Sequence, residues 1–147
     1  MVGAHEGPAD RAARHPGGAL GPVLAVDIGG TKLAAAVAGP DGRLSAASTC
    51  PTPATGDAEE LFAALCALLD DVLSRAGPRP VVCGVGCGGP MRAGGEEVSP
   101  LNIPAWRGFP LRARLADALG MLVAVENDAK ALALGEGWLG AARGVDH

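Results

Sequence analysis

Tyrosine is absent from this 147-residue chain, and aromatic residues make up only 3% of it. Its core must therefore come from Val, Leu, Ile and Ala, a mixture suited to helices packed on a sheet. No apolar run approaches the ~20 residues that cross a bilayer, and the N-terminal MVGAHEGPADRAARHPGG lacks the apolar middle of a secretion signal. A cytoplasmic protein with no membrane partner is the expectation. There is no basic run either: 12 basic and 16 acidic residues, for a net charge of -4, are spread along the chain. Without a stripe of Lys and Arg to neutralise phosphates, nucleic acid is not an expected partner. The four cysteines, Cys50, Cys66, Cys83 and Cys87, are irregularly spaced with no histidine nearby. They are expected to be small buried hydrophobes, and no zinc site is expected in this chain.

With 48% hydrophobic and 19% charged residues, the length suits one globular domain. Residues 1–20, rich in Gly, Pro and charge, read as a flexible leader, and the domain spans 21–147. Val23 to Ile28 and Leu33 to Ala38 have strand character on either side of a glycine pair, which predicts a hairpin. The turn GPDG leads to a third strand from Arg43 to about Cys50. Asp57 can cap a helix whose apolar residues Leu61, Leu65, Leu68, Leu69 and Val72 recur at helical spacing, with Gly77 and Pro78 ending it. PVVCGVG then reads as a buried strand, parallel to the hairpin's first strand because a helix intervenes. Cys87 to Arg107 reads as a long loop with one short strand candidate at Glu97 and Val98, and such loops are often functional. Pro110 opens a short helix with Leu111, Leu115 and Leu119 on one side and Gly120 as its stop. MLVAVE forms another strand and NDAKALALGEGWLG a largely buried helix. The predicted order is βββαβαβα around a mixed sheet.

Several motifs carry chemistry. Gly84, Gly86 and Gly89 have the spacing GxGxxG, but Pro90 and a loop follow where a dinucleotide fingerprint needs a helix N-terminus. They read instead as a close-approach loop at a strand end. In VLAVDIGGTKLAAAV, an acid, two glycines, a hydroxyl and an amine interrupt an apolar hairpin. Gly29 and Gly30 let backbone amides approach an anion, Thr31 adds a hydroxyl and Lys32 a positive charge. Asp27, an apparently buried acid, could hold the hydrated magnesium of a nucleotide. A glycine hairpin with solvated polar tips accounts for the same residues. Glu126, Asn127 and Asp128 stand where a strand gives way to a helix. They fit helix capping, and equally a carboxylate at a strand's carboxyl end, poised to take a proton from a substrate hydroxyl.

Taken in order, DIGGTK, GVGCGGP, SPLNIPAWRGFPLRARL and ENDAKALALGEGWLG resemble the N-terminal lobe of the ROK family, which contains glucokinases, other sugar kinases and sugar-responsive repressors. The resemblance runs from about Val23 to Gly144. It implies the actin-like ATPase (ribonuclease H-like) fold and phosphoryl transfer from ATP, with Mg2+, to a hexose, glucose being expected and its 6-hydroxyl the acceptor. By that resemblance Asp128 is the general base and Asn127 binds sugar hydroxyls. Gly89 and Asn102 match further sugar-contacting positions. Asp27 matches the magnesium-associated acid, reaching the ion through water, and Gly29, Gly30, Thr31 and Lys32 match the first phosphate motif. Late proton acceptance by a carboxylate suits this chemistry, in which amides and the metal carry the transferring charge.

Lys130 stands where relatives often carry a further Asn. The family continues past the position of His147 with a second phosphate loop, a CxCGxxGC zinc cluster and the adenosine-binding lobe. Structural zinc is thus expected only in that C-terminal part, and a homodimer only at full length. The chain by itself is expected to be an inefficient kinase, since closing two lobes is what excludes water. The competing expectations are the sugar-sensing lobe of a ROK-type repressor and a non-catalytic remnant.

Overall fold

Alternation of apolar and small or polar residues dictates the central sheet of the computed structural model, which describes residues 21–128. In β1 (Val23–Ile28), Leu24, Val26 and Ile28 are buried while Ala25 and Asp27 are exposed on the opposite face. The same two-residue period sets β2 (Lys32–Ala38), β4 (Val82–Cys87) and β5 (Leu122–Asn127), with a less regular β3 (Leu44–Pro51) at one edge. The strand order is β3-β2-β1-β4-β5. The first three strands are antiparallel neighbours, and β4 and β5 add in parallel. The short turn at residues 29–31 suffices for the hairpin, whereas each parallel strand needs a helical crossover.

Two helices cover one face. In α1 (Ala58–Arg75), Leu61, Phe62, Leu65, Leu68, Leu69 and Val72 form the buried stripe, and Asp57 caps it by accepting from the Glu59 and Glu60 amides at 2.8 and 3.2 Å. Gly77 does not take the left-handed conformation expected of a glycine stop, and α1 ends because Ala76 turns extended ahead of Gly77 and Pro78. Gly120, at φ 64°, does end α2 (Leu111–Leu119) in that way, its amide bonding the Ala116 carbonyl. Residues Leu111, Leu115 and Leu119 of α2 are buried, and that helix packs against β5. The described order is βββαβαβ, and the expected last helix lies outside the described residues.

Among the described residues the other sheet face is left open, and the side chains there are mostly small: Ala25, Ala34, Ala36, Gly84, Gly86 and Ala124. Asp27 is on this face, so the expectation of a buried acid is corrected. The apolar run around it suggested burial on both sides, but alternation along β1 sends its carboxylate to the uncovered side. Cys83 and Cys87 are buried, while Cys50 and Cys66 are half-buried, and all four thiols are free. Burial pushes the Cys83 and Cys87 thiols up to about 12, so they stay protonated and unreactive at neutral pH.

The segment between β4 and α2 is tied down more closely than a loop reading implies. Val98, the short strand candidate, makes isolated bridges to Met91 and Phe109 rather than a full strand. Trp106 is fully buried, its ring stacked on Phe109 at 4.6 Å, and its indole N–H donates to the Ala58 carbonyl at 3.2 Å. Phe62 adds a tilted contact to Phe109, and the Arg114 guanidinium lies 4.5 Å from the Phe62 ring while pairing with Glu59. The loop is thus anchored to the start of α1, and its polar tip is presented at the carboxyl end of the parallel strands.

Candidate active site

Four chain segments meet where β1, β4 and β5 end. The hairpin turn 29–31 between β1 and β2 is crossed by the tip of the loop, so closely that a Cβ on Gly30 would stand 2.5 Å from the Asn102 Cβ and 3.0 Å from its carbonyl oxygen. Only glycine fits that approach. Gly30 has an ordinary negative φ, and its identity is explained by the packing of Asn102 rather than by turn conformation. After β4, Gly88 and Gly89 make a second narrow passage. A Cβ on Gly89 would be 3.2 Å from the Asn127 amide nitrogen, and one on Gly88 would be 3.8 Å from both an Asp128 carboxylate oxygen and Pro100. The peptide bond from Gly89 to Pro90 is cis. The Gly89 carbonyl accepts from the Leu101 amide at 3.3 Å, and the Pro90 carbonyl accepts from the Ser99 amide at 2.8 Å. These bonds join the post-β4 turn to the Asn102 loop.

The result is a cavity of about 150 Å3 that brings together Gly29, Gly30, Gly89, Asn102 and Asp128. Ile28, Gly88, Pro100, Leu101 and Ile103 complete its lining. Of these, Gly88 was the one with a sequence signal, the glycine pair ahead of Pro90, and the others are ordinary loop and strand residues brought in by folding. A broader trough of about 900 Å3 lies over the open sheet face and includes Asp27, Glu126 and Asp128. Asp128 lines both spaces, and Asp27 lines only the trough.

In the turn, the Gly29 amide is already used, donating to the Lys32 carbonyl at 3.0 Å, and the Gly29 carbonyl accepts from the Thr52 hydroxyl at 2.7 Å. The amides of Gly30 and Thr31 have no acceptor among the described residues. What the turn can offer an anion is therefore those two N–H groups, with the exposed Thr31 and Lys32 side chains beside them. Asp27 projects between Ala34 of β2 and Gly86 of β4, its partners in register, and both are too small to cover its carboxylate. No group of three or more His, Cys, Asp or Glu side chains able to hold a metal occurs among the described residues. A single accessible carboxylate suits a magnesium ion that keeps most of its waters and is held largely by phosphate oxygens, rather than one caged by protein.

Electrostatics single out Asp128. Desolvation, and after it the nearby Asp27 charge, hold its carboxyl above the usual carboxylate range. Because the folded-state value is raised, the stability this carboxyl contributes is present below its unfolded pKa and is lost as the pH rises through the folded one. We expect a carbon-13 carboxyl titration of the chain to show Asp128 above 3.8, and Asp27→Asn to lower it part of the way by removing the second of the two causes. An Asp128 titration indifferent to Asp27→Asn would mean that the two carboxylates do not share a field.

The ROK family model matches residues 23–147. The glucokinase of Thermotoga maritima is 32% identical over 126 residues, 85% of this chain and 39% of the relative. The N-acetyl-D-glucosamine kinase of Salmonella newport is 38% identical over 112 residues, 76% of this chain and 36% of the relative. The crystal structure of a ROK family glucokinase from Streptomyces griseus in complex with glucose and AMPPNP superposes with a TM-score of 0.75 at 36% identity, covering 84% of this chain and 38% of that one. The chain thus spans less than two fifths of the length of these relatives. Its sheet, turn and strand-end acid all fall within the matched residues: the chain belongs to the ROK family and has the actin-like ATPase fold of the family's sugar kinases.

Proposed function

We propose that this chain supplies the sugar-binding and catalytic-base half of a hexose kinase that transfers the γ-phosphoryl group of ATP to the 6-hydroxyl of glucose. The observation that carries the reading is the position of Asp128 between two spaces, a small pocket that also holds Asn102 and a trough holding Asp27. In this reading the sugar enters the pocket, with Asn102 and Asn127 hydrogen-bonding its hydroxyls and Gly89 giving it room. Asp128 receives the proton of the attacking hydroxyl on a carboxylate oxygen. Desolvation and the Asp27 charge raise its pKa, which makes it a better acceptor than an ordinary aspartate. The Gly30 and Thr31 amides and Lys32 would face the phosphates, and Asp27 would hold the magnesium that accompanies them. Bound magnesium neutralises charge on the phosphoryl oxygens. The relatives bearing glucokinase and N-acetyl-D-glucosamine kinase names favour a hexose acceptor, and glucose is the substrate proposed.

Titration of the nitrogen-15-labelled chain with D-glucose tests the reading. The side-chain amides of Asn102 and Asn127 and the Gly89 backbone amide are expected to shift together and to saturate, while MgATP moves Gly30, Thr31 and Lys32. Shifts scattered over the surface, or none with either compound, would overturn it.

A further inference from the structure

The loop tip that carries Asn102 has an unusual internal support. The Arg107 guanidinium donates from a single nitrogen, Nη1, to three backbone carbonyls, those of Pro100 at 2.8 Å, Ile103 at 3.1 Å and Trp106 at 2.7 Å. Those carbonyls belong to two successive tight turns, closed by the Ile103 amide on the Pro100 carbonyl and the Trp106 amide on the Ile103 carbonyl. Such convergence of carbonyl dipoles is repulsive unless a cation occupies the centre. Arg107 fills that role and makes no salt bridge among the described residues, whereas Arg43, Arg75, Arg92, Arg112 and Arg114 are each paired with a carboxylate. Asn102 lies between the first two of the three carbonyls and packs against Gly30. The buried neighbours Ile103 and Trp106 fix the loop's inner side, whereas Leu101 and Asn102 are exposed and are held besides by the Leu101 amide on the Gly89 carbonyl and the Asn102 contact with Gly30.

We propose that Arg107 is a positioning residue for the sugar pocket, acting through Asn102: it gathers three carbonyls into a rigid cap and so fixes where the Asn102 side chain stands relative to Gly30 and Asp128. The proposal rests on the sugar-site reading above. A preorganised loop spares the ligand the ordering cost, so loss of the guanidinium is expected to appear as weaker sugar binding.

Four versions of the labelled chain test it by D-glucose titration: wild type, Arg107→Ala, Asn102→Ala and the double variant. Arg107→Ala should weaken glucose binding about tenfold, the scale of one charged hydrogen-bonding group. In the Asn102→Ala background the same change should alter binding less than about twofold, because the residue through which Arg107 acts is gone. Amide exchange at Ile103 and Trp106 should quicken about tenfold in Arg107→Ala, with β1 and β4 amides unchanged. Unaltered glucose affinity in Arg107→Ala, or an equal loss in both backgrounds, would overturn the proposal. A wild-type chain that shows no glucose-dependent shift defeats the sugar reading instead, and the exchange measurement then decides whether Arg107 holds the loop. Should the β1 and β4 amides show that Arg107→Ala has lost its fold, Arg107→Gln, which keeps an N–H donor, takes its place in each arm.

Discussion

Asp128→Asn is expected to abolish most phosphoryl transfer to glucose while leaving glucose binding nearly intact. The assay uses this chain restored, by in-frame fusion, to the full length of its glucokinase relatives, of which it spans less than two fifths. Asparagine keeps the shape and hydrogen-bonding reach of aspartate but cannot accept the hydroxyl proton, so turnover should fall by about 10²–10⁴-fold, the usual worth of a positioned base. Because the amide loses only the proton-accepting step, the effect should fall on kcat with little change in KM. The wild-type fusion should lose activity as the pH falls through the raised Asp128 pKa, and the variant's residual rate should lack that acid limb. A variant retaining a tenth or more of the wild-type rate would remove Asp128 from the base role. The same substitution should slightly raise the melting temperature of the isolated chain at a pH above the raised Asp128 pKa, because the ionised carboxylate opposes folding there.

The largest stability effect is expected at Trp106. Its ring is fully buried, it stacks on Phe109 with an interplanar angle of 6°, and its N–H satisfies the Ala58 carbonyl. Replacement by alanine removes a large apolar surface, leaves a cavity the surrounding rings cannot fill, and removes the indole donor to the part-buried Ala58 carbonyl. We expect Trp106→Ala to cost about 3–5 kcal/mol in urea unfolding followed by far-ultraviolet circular dichroism. That is a large share of the ~5–15 kcal/mol available to a domain of this kind. Leu101→Ala in the same loop, at a side chain 76% exposed, should change stability by no more than about 0.5 kcal/mol. A small effect at Trp106 would show that the loop is not part of the cooperative core.

This contrast also shows where the sequence was readable. The α1 stripe and the Asp57 cap follow from local spacing and side-chain chemistry, and all five predicted stripe residues, Leu61, Leu65, Leu68, Leu69 and Val72, are buried. The parallel placement of β4 followed from the length of the crossover before it. The loop after β4 was legible as irregular but not as ordered. Its order comes from Trp106 reaching α1 and from Arg107 reaching back to carbonyls in its own turn, neither of which has a periodic signature.

Among the candidate site residues, Asp27, Gly29 to Lys32, Asn127 and Asp128 stood out because polar residues at strand ends interrupt apolar runs. Their motifs and order were enough to indicate the ROK family and its fold. Strand alternation, a local property, determined that Asp27 and Ile28 face opposite ways. Whether the Asp27 face is covered depends on which face the helices pack against, and one strand's pattern carries no information about that. Only the tertiary structure decided that the carboxylate is accessible, that Gly30 is glycine because Asn102 crosses it, and that Asp128 stands between the pocket and the trough. Those outcomes depend on contacts between segments far apart in the chain, and such contacts are set by how the sheet, its helices and the anchored loop pack as a whole.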